Sequence, residues 1–421
     1  MQNTAIDILN KTLSKFTSED KRLVASTMAK EVIAASFPAI RRVDLVLTEC
    51  CNCCCTYCFE GEKSKMTMSS ETLEKAIDFV FAESRGSEEV AFILFGGEPL
   101  VRFDLVEHAI KYANRKALDL GKRVRYEMTT NGTLLNKEII DFGVANGLSY
   151  LLSLDGDRET HDLHRREVNG KGTYDRIVQW IPYLKEHQKW LGARVTPTPD
   201  TVHKLAANIR HLRSLRINQF LIGMAAGPKW SVQAINLYRQ QWEEIADFYI
   251  AERNQGRAMR INDFELSWES LVHERQNEWG CSGGRSQIGI APDGDIYPCP
   301  KFMTLINPFT GKRGAYRLGS LDEGLSNLNY RREVINSCQS CRIACLRCEF
   351  ADVCLGTCLA VNYEENDSIF DCHGCLCEEK KIIYDLLRRR PDLCGASGQP
   401  MNDGTVGDSH FQPIGVTVPI K

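Results

Sequence analysis

The chain has 421 residues, of which 43% are hydrophobic and 25% are charged, with a formal net charge of −3. The length suggests roughly two or three domains, and the near-neutral charge gives no electrostatic reason to expect nucleic-acid binding. No apolar run reaches the length of about 18 residues that predicts a membrane span, and the N-terminus lacks the regions of a signal peptide. We therefore expect a cytoplasmic protein that binds neither nucleic acid nor membranes.

Cysteine is unevenly distributed along the chain. Of 18 cysteines, six lie at 50–58, none at 59–280, eleven at 281–377 and one at 394. A disulfide framework explains this poorly, because the chain is long and has no export signal. Dense cysteine groups in a reducing compartment are more often metal ligands. The distribution therefore predicts metal or iron–sulfur binding.

The first half of the chain alternates between strand and helix patterns. Residues 1–40 are polar and predicted to be helical, and from 41 to about 226 short runs rich in Val, Ile, Leu and Phe alternate with helical spacing. Ser70 is the predicted N-cap of the first of these helices. The six predicted strands are 43–47, 90–95, 123–128, 149–154, 193–198 and 219–224. This alternation implies a parallel sheet, open or a partial barrel, with its chemistry at the C-terminal ends of the strands.

The second half is less regular. Residues 231–255 are predicted to form one bridging helix, and 380–390 a second helix. Between them, 281–377 contains short segments and many cysteines, and we expect metal clusters to provide much of its stability. From Pro391 onward Gly, Pro, Asn and Asp dominate, and the tail is predicted to be disordered.

The first cysteine group contains one informative spacing. Cys51, Cys55 and Cys58 form C-x3-C-x2-C, and no other three cysteines of the group do so. Three ligands on one loop after the first strand can hold three irons of a four-iron cluster and leave the fourth iron open. Zinc is the alternative, but zinc sites usually show paired cysteines with a closing pair, whereas this loop stands alone.

This loop resembles a known family. The residues that carry the likeness to radical S-adenosylmethionine (SAM) enzymes are Cys51, Asn52, Cys55, Tyr57, Cys58 and Phe59. The resemblance implies that the open iron binds SAM, and that an electron from the cluster cleaves SAM to methionine and a 5′-deoxyadenosyl radical. It also implies that Tyr57 and Phe59 help to bind the cofactor. Cys50, Cys53 and Cys54 fall outside the pattern.

Three further motifs at predicted strand ends resemble the same family. Gly96, Gly97 and Glu98 follow the second strand, where the glycines would let the backbone approach the ligand and Glu98 would pair with the ammonium of SAM. Asn131 follows the third strand. The resemblance implies that all four belong to the cofactor site.

The fourth strand ends in Ser153 and Asp155, followed by His161 and Arg165. The resemblance implies that Ser153 and Arg165 bind the carboxylate of SAM, a task suited to the guanidinium fork. Asp155 either belongs to the same site or only shapes the turn. His161 is predicted to make local hydrogen bonds, because nothing in the sequence pairs it with a nucleophile.

The second cysteine region resembles a SPASM domain. The matching ligands, in chain order, are Cys281, Cys299, Cys345, Cys348, Cys354, Cys358 and Cys377. The resemblance implies two auxiliary [4Fe–4S] clusters, one held by Cys281, Cys299 and Cys358, and the other by the remaining four. Cys377 is preferred as the last ligand over Cys372 and Cys375 because it begins a C-x3-K-like ending, and a pair of zinc knuckles is the alternative for the region.

The first auxiliary cluster is one ligand short. Sulfatase-maturing relatives have a cysteine six residues after the first, and this chain has Gln287 there. The cluster then either keeps an open iron or is completed by Cys338 or Cys341. An open iron could bind a substrate thiolate and would favour thioether chemistry, whereas a complete cluster would suit electron transfer.

The resemblance covers about residues 41–380 and implies a partial (β/α)6 TIM-type barrel followed by a small irregular iron–sulfur domain, an α/β fold. The implied divisions are an N-terminal helical segment at 1–40, the barrel at 41–230, a bridging region at 231–280, the SPASM domain at 281–380, and a helix and tail at 381–421. No acid or base is identified.

Our first functional hypothesis is an oxidoreductase that matures a ribosomally made precursor peptide through an intramolecular thioether or C–C crosslink. The implied partners are that peptide and an electron donor of the flavodoxin or ferredoxin type. Because only 40 residues precede the barrel, leader recognition would need either a separate leader-binding protein or docking on the bridge or barrel. The alternatives are a formylglycine-forming enzyme of the anaerobic sulfatase-maturase type, and a non-catalytic electron carrier, which would need no SAM site.

Overall fold

The structure is a computed structural model that describes residues 37–61, 63–272, 281–307, 310–337, 342–372 and 374–394. The chain divides into two compact units, Met1–Ala39 and Ile40–Lys421, and everything below concerns the second. The helix predicted in 1–40, the tail beyond residue 394, and the candidate ligands Cys338 and Cys341 lie outside the described residues.

Ten strands form one sheet in the order β10-β9-β8-β1-β2-β3-β4-β5-β6-β7. Strands β1 to β6 lie side by side in chain order and are all parallel, as the alternating pattern predicts. Within the described ranges no strand pair closes the sheet, so the barrel is partial. The strands are β1 Arg42–Thr48, β2 Glu89–Gly96, β3 Arg123–Thr130, β4 Leu148–Ser153, β5 Gly192–Val195, β6 Gln219–Ile222, β7 Arg260–Ile261, β8 Gln287–Ile290, β9 Asp295–Tyr297 and β10 Gly319–Ser320.

Helices follow most of the barrel strands. Up to residue 254 they are α1 Ser70–Glu83, α2 Phe103–Leu120, α3 Lys137–Ala145, α4 Arg158–His164, α5 Tyr174–Val178, α6 Ile181–His187, α7 Leu205–Ser214 and α8 Val232–Asn254, with 3-10 turns at Pro99–Arg102 and Val202–Lys204. The later ones are α9 Asn262–Val272, α10 Pro300–Thr304, α11 Leu328–Asn336, α12 Ile343–Leu346, α13 Leu359–Asn366 and α14 Cys375–Arg389. In the part of the chain that the structure describes, no helix has the length and apolarity needed to cross a bilayer.

Three local predictions need correction. The N-cap of α1 is Ser69, whose hydroxyl accepts the Thr72 N–H at 3.0 Å, rather than Ser70. Helix α14 begins at Cys375, five residues before the predicted start at 380, and its first turn carries Cys375 and Cys377 of the cysteine-rich region. Pro391–Cys394 form a 3-10 turn, so the chain is still ordered where disorder was predicted to begin.

The core follows from side-chain alternation along the strands. Val43, Leu45 and Leu47 of β1 are fully buried in the main hydrophobic cluster, whereas Val46 belongs to a second cluster on the opposite face. Both faces of β1 are therefore covered, as is usual for a parallel strand.

Helix α8, the predicted bridge, is part of the main core. Its Tyr238 and Trp242 are fully buried. The carboxylate of Glu379 on α14 accepts a hydrogen bond from the Tyr238 hydroxyl at 2.5 Å and from the Met224 N–H at 3.1 Å. These bonds fix the C-terminal helix to the end of the barrel.

The cysteine-rich region is more regular than predicted. Strand β8 pairs in parallel with β1, and β9 and β10 continue the sheet in antiparallel fashion. Sequence patterning missed these strands because they have only four, three and two residues. The region thus begins as an extension of the barrel sheet.

Candidate functional site

The predicted site residues gather at the carboxyl ends of β1 to β4. The cysteine loop follows β1, Gly97 and Glu98 follow β2, and Asn131 follows β3. Ser153 is the last residue of β4 and is buried. Parallel strands bring these ends to one edge of the sheet, which is where ligands bind in folds of this class.

A close backbone approach fixes the cysteine loop. The Gly97 N–H donates to the Thr48 carbonyl at 2.8 Å, and the Glu98 N–H donates to the Cys50 carbonyl at 2.9 Å. A Cβ atom on Gly97 would lie 2.5 Å from the Cys50 oxygen, and one on Gly96 would lie 2.4 Å from the Thr48 oxygen. The two glycines are therefore required by the contact between the turn and the loop.

The far side of the loop is held by the segment after α4. The Cys54 N–H donates to the Arg166 carbonyl at 2.7 Å, and the Thr56 N–H donates to the His164 carbonyl at 3.1 Å. Backbone groups thus hold the loop from two sides, and its thiol positions are set by hydrogen bonds of the main chain.

The three predicted ligands of this loop are half-buried. A hydrogen bond from the Cys53 thiol lowers the pKa of Cys51 to about 6, and the Lys63 ammonium lies 3.0 Å from the Cys58 sulfur. Burial raises the pKa of Cys55 to about 11. Thiolates are the metal-binding form, and the donor at Cys51 favours that form.

Glu98 is a buried carboxylate with three donors around it. It accepts hydrogen bonds from the Thr130 hydroxyl at 2.7 Å, the Asn131 N–H at 2.6 Å and the Leu100 N–H at 3.1 Å. Burial raises the pKa of Glu98 to about 7. A cation placed beside this group would offset the cost of burying its charge, which fits the predicted SAM ammonium.

Asn131 joins the end of β3 to the cysteine loop. Its amide donates to the Asn52 side chain at 2.9 Å and lies 3.8 Å from the Cys51 sulfur. The Asn52 amide in turn donates to the Thr133 hydroxyl at 2.7 Å. Sequence reasoning gave Thr133 no role, since a hydroxyl two residues beyond a motif carries no separate signal.

Asp155 does more than shape a turn. The Arg165 guanidinium donates to its two oxygens at 2.8 and 3.2 Å, and the Tyr57 hydroxyl donates to the same carboxylate. Burial opposes ionisation, but the charge of Arg165 holds the pKa of Asp155 below its ordinary value. Asp155 therefore orients both Arg165 and Tyr57.

Two residues of the sequence motifs remain, Phe59 and His161. Phe59 stacks on Phe95 with ring centres 6.4 Å apart, and the Lys301 ammonium lies 5.4 Å from its ring. His161 makes local hydrogen bonds, as predicted, to the Asp155 N–H at 3.4 Å and to the Thr173 hydroxyl at 2.8 Å. Burial lowers the pKa of His161 to about 4, so the ring is neutral at pH 7.

The first auxiliary set brings Cys281, Cys299 and Cys358 together. All three pack half-buried against the second hydrophobic cluster, and the pKa of Cys281 is raised to about 11 by burial and by Cys358. Gln287 belongs to a separate polar network. Its amide donates to the Asp44 carboxylate at 2.5 Å and accepts from the Ser282 hydroxyl at 2.6 Å.

The second auxiliary set lines a cavity of about 370 Å³. Its thiols are Cys345, Cys348, Cys354, Cys372 and Cys377. A [4Fe–4S] cluster uses four, so the cavity offers one thiol more than the sequence assignment requires. Cys372 lies 2.9 Å from Cys345, sulfur to sulfur. Cys375 is instead directed to Glu365 at 3.6 Å.

The alternative of zinc concerns the way in which thiols share a metal. Zinc ligands share one ion, whereas each thiolate of an iron–sulfur cluster binds a different iron. Within the described ranges, no three His, Cys, Asp or Glu side chains converge on one point where a single metal ion would be held.

Residues 45–197 match the family model of the radical SAM superfamily, the part of the chain that carries the loop, Glu98, Asn131, Ser153 and Arg165. This part of the chain carries a radical SAM domain, and the radical SAM family binds SAM and a [4Fe–4S] cluster. The sequence-based resemblance and the α/β fold class are confirmed.

The relatives and solved structures that resemble the chain include maturases. It is 28% identical over 331 residues to the serine-type anaerobic sulfatase-maturating enzyme of Klebsiella aerogenes, covering 74% of this chain and 77% of the relative. Native anSMEcpe with bound AdoMet and Cp18Cys peptide shares the fold with a TM-score of 0.68 at 20% identity, over 84% of this chain and 98% of that chain. SuiB of Streptococcus suis bound to precursor peptide SuiA does so at 0.58 and 18%, over 85% and 80%.

Replacing Gly97 by alanine should damage the loop after β1. The new Cβ would lie 2.5 Å from the Cys50 oxygen and 2.6 Å from the Glu49 oxygen, so the loop must move. We expect a lower iron content and a fall of roughly tenfold or more in SAM cleavage, which requires only about 1.4 kcal/mol of lost stabilisation. Gly86→Ala is the matched control, because no described atom lies within 4 Å of its Cβ position. Normal iron and normal cleavage in Gly97→Ala would contradict the packing argument.

SAM affinity should depend on pH through Glu98. Because burial raises the pKa of this carboxylate to about 7, it is protonated below that pH and charged above it. Equilibrium binding from about pH 6 to about pH 8 should therefore show affinity that rises through pH 7 and then levels off. In Glu98→Gln the affinity should be roughly tenfold to a hundredfold weaker and lose this dependence. The same pH profile in both proteins would exclude Glu98 as the cause.

Proposed function

We propose that the protein is a radical SAM peptide maturase that installs an intramolecular thioether or C–C crosslink in a ribosomally made peptide. The observation that carries the proposal is that the first auxiliary set has three thiols where a complete [4Fe–4S] cluster would use four. Among the described residues it gathers three thiols, and the position that sulfatase-maturing relatives give to a cysteine is occupied by Gln287. The side chain of Gln287 is engaged by Asp44 and Ser282, so it is poorly placed to replace the missing ligand.

Three [4Fe–4S] clusters are proposed. Cys51, Cys55 and Cys58 would hold the SAM-binding one, Cys281, Cys299 and Cys358 the first auxiliary one, and the thiols of the 370 Å³ cavity the second. When bound, the SAM-binding cluster supplies the electron that cleaves SAM, and the auxiliary clusters supply acceptors for the electron that leaves the substrate. The thiols of each set support this assignment, because cysteine thiolates are the usual ligands of iron–sulfur clusters.

The residues of the chain would hold SAM by its two charged ends. Glu98 would accept the ammonium, and Arg165 with Ser153 would bind the carboxylate. The bonds from Arg165 to Asp155 use two of its N–H donors and fix the plane of the fork, which leaves further donors for a second carboxylate. Because Asp155 holds it, the Arg165 guanidinium would meet the SAM carboxylate in one fixed orientation.

Crosslinking removes two hydrogens from the peptide. One leaves as a hydrogen atom that ends in 5′-deoxyadenosine, and the second leaves as a proton and an electron when the new bond forms. This balance and a peptide substrate require two partners, a precursor peptide and a donor of the flavodoxin or ferredoxin type for SAM cleavage. We propose in addition that a separate leader-binding protein presents the peptide. The peptides bound in anSMEcpe and in SuiB support a peptide substrate.

Formylglycine formation is the second candidate. It is favoured by the 28% identity to the serine-type anaerobic sulfatase-maturating enzyme of Klebsiella aerogenes. The two candidates share the first hydrogen abstraction and differ in the fate of the substrate radical, since one reaction joins two residues and the other leaves an aldehyde.

The three cysteines of the proposed SAM-binding cluster should be separable from the auxiliary ones. Anaerobically reconstituted protein should bind about eight to twelve iron atoms per chain. Replacing Cys51, Cys55 and Cys58 by alanine should abolish 5′-deoxyadenosine formation and leave the auxiliary iron. The control replaces Cys50 and Cys54, which lie in the same loop outside the spacing. Persistent SAM cleavage in the triple variant, or tight zinc with no iron in the wild type, would refute the assignment.

The product should distinguish the two candidates. The enzyme is incubated with a short Cys- or aromatic-rich peptide encoded beside its gene, and separately with a sulfatase-derived peptide that contains the serine or cysteine to be oxidised. A crosslink removes two hydrogens, resists fragmentation between the joined residues and gives no hydrazine-reactive aldehyde; a thioether also removes one alkylatable thiol. An aldehyde formed only on the sulfatase peptide would establish the second candidate in place of the first.

A further inference from the structure

A buried arginine lies against Gly356, the glycine whose N–H donates to the sulfur of Cys354 in the second auxiliary set. Arg342 is 3% exposed, and its Nη2 donates to the Ser337 carbonyl at 2.7 Å. Among the described residues, its Nε and Nη1 have no hydrogen-bond partner. A guanidinium cannot lose its proton under ordinary conditions, so a full charge is buried with part of its hydrogen-bonding capacity unused, which is costly unless negative charge lies nearby.

Other cations also approach the second set. Lys380 and Lys381 line the same cavity as its thiols, so positive charge faces this set from more than one element.

The chain makes room for this side chain. Gly356 has φ +90°, and a Cβ atom there would lie 2.0 Å from Nη1 of Arg342. The N–H of Gly356 donates to the Cys354 sulfur at 3.3 Å. The same glycine therefore contacts a predicted ligand and leaves the space that the guanidinium occupies, which marks a built site rather than a chance burial.

We propose that Arg342 is a positioning residue for electron transfer, a fixed cation beside the second auxiliary set that raises the reduction potential of the cluster this set holds. Net charge and hydrogen bonding to the sulfurs are principal determinants of cluster potential. The bound cluster would bring negative charge to Nε and Nη1, which have no partner among the described residues, and the cation would bias that cluster toward accepting an electron. This inference rests on the proposed auxiliary clusters.

The test measures potentials rather than turnover. In the full-length Cys51, Cys55 and Cys58 alanine variant, only auxiliary clusters remain, and their midpoint potentials are followed by electron paramagnetic resonance during a redox titration. With Arg342→Gln we expect the ratio of reduced to oxidised cluster at a fixed solution potential to fall at least tenfold, which corresponds to about 59 mV for a one-electron couple. Arg342→Lys, which keeps the charge, should restore most of the ratio. Arg347→Gln is the control, because Arg347 lines the same cavity but is exposed to water.

Each other outcome has a defined meaning. Iron content near that of the parent protein with unchanged potentials in Arg342→Gln overturns the inference, as does an equal shift in Arg342→Gln and Arg342→Lys. Loss of iron in Arg342→Gln but not in Arg342→Lys supports it, since the charge is then needed to hold the clusters. Loss of iron in both overturns it in favour of a purely structural guanidinium. Parent protein that binds no auxiliary iron refutes the proposed clusters instead.

Discussion

The site depends on one close contact between two turns of the backbone. The turn after β2 donates two N–H groups to carbonyls of the chain leaving β1, at Thr48 and Cys50. The contact is possible only because Gly96 and Gly97 lack side chains. It holds Glu98 next to the cysteine loop, so the carboxylate proposed to take the SAM ammonium and the thiols proposed to hold the cluster are positioned by the same pair of hydrogen bonds.

Buried charge is the second organising constraint. Asp155 is neutralised by Arg165 and hydrogen-bonded by Tyr57, which gives a pair that is complete by itself. Glu98 is surrounded by N–H and O–H donors and keeps a raised pKa. The charge of Asp155 is already balanced by Arg165. The charge of Glu98 is not balanced, and a carboxylate hydrogen-bonded only by neutral donors is further stabilised by a cation. This difference is the reason for assigning different roles to Glu98, which is proposed to bind the SAM ammonium, and Asp155, which orients Arg165 and Tyr57.

The sequence predicted the barrel well because its signals are local. Six runs of apolar residues gave strands β1 to β6, and each motif stood at a strand end, so parallel pairing alone brought Glu98, Asn131 and Ser153 to one edge. The failures are all non-local. Strands β8 to β10 are too short for a periodicity and form by pairing with β1. Asp155 contacts Arg165 and Tyr57, and Cys372 lies in the cavity next to Cys345. These contacts join distant parts of the chain and cannot be read from the spacing of motifs.

Strand β1 connects the two halves of the site. Its carboxyl end carries the cysteine loop, one of its faces contributes Val46 to the cluster against which Cys281 and Cys358 pack, and its open edge receives β8. Two parts of a chain joined only by a linker would move relative to one another by default. A shared sheet removes that freedom, since sliding β8 along β1 would break a ladder of backbone hydrogen bonds. The register of β8 on β1 therefore sets the distance between the proposed SAM site and the thiols of the first auxiliary set.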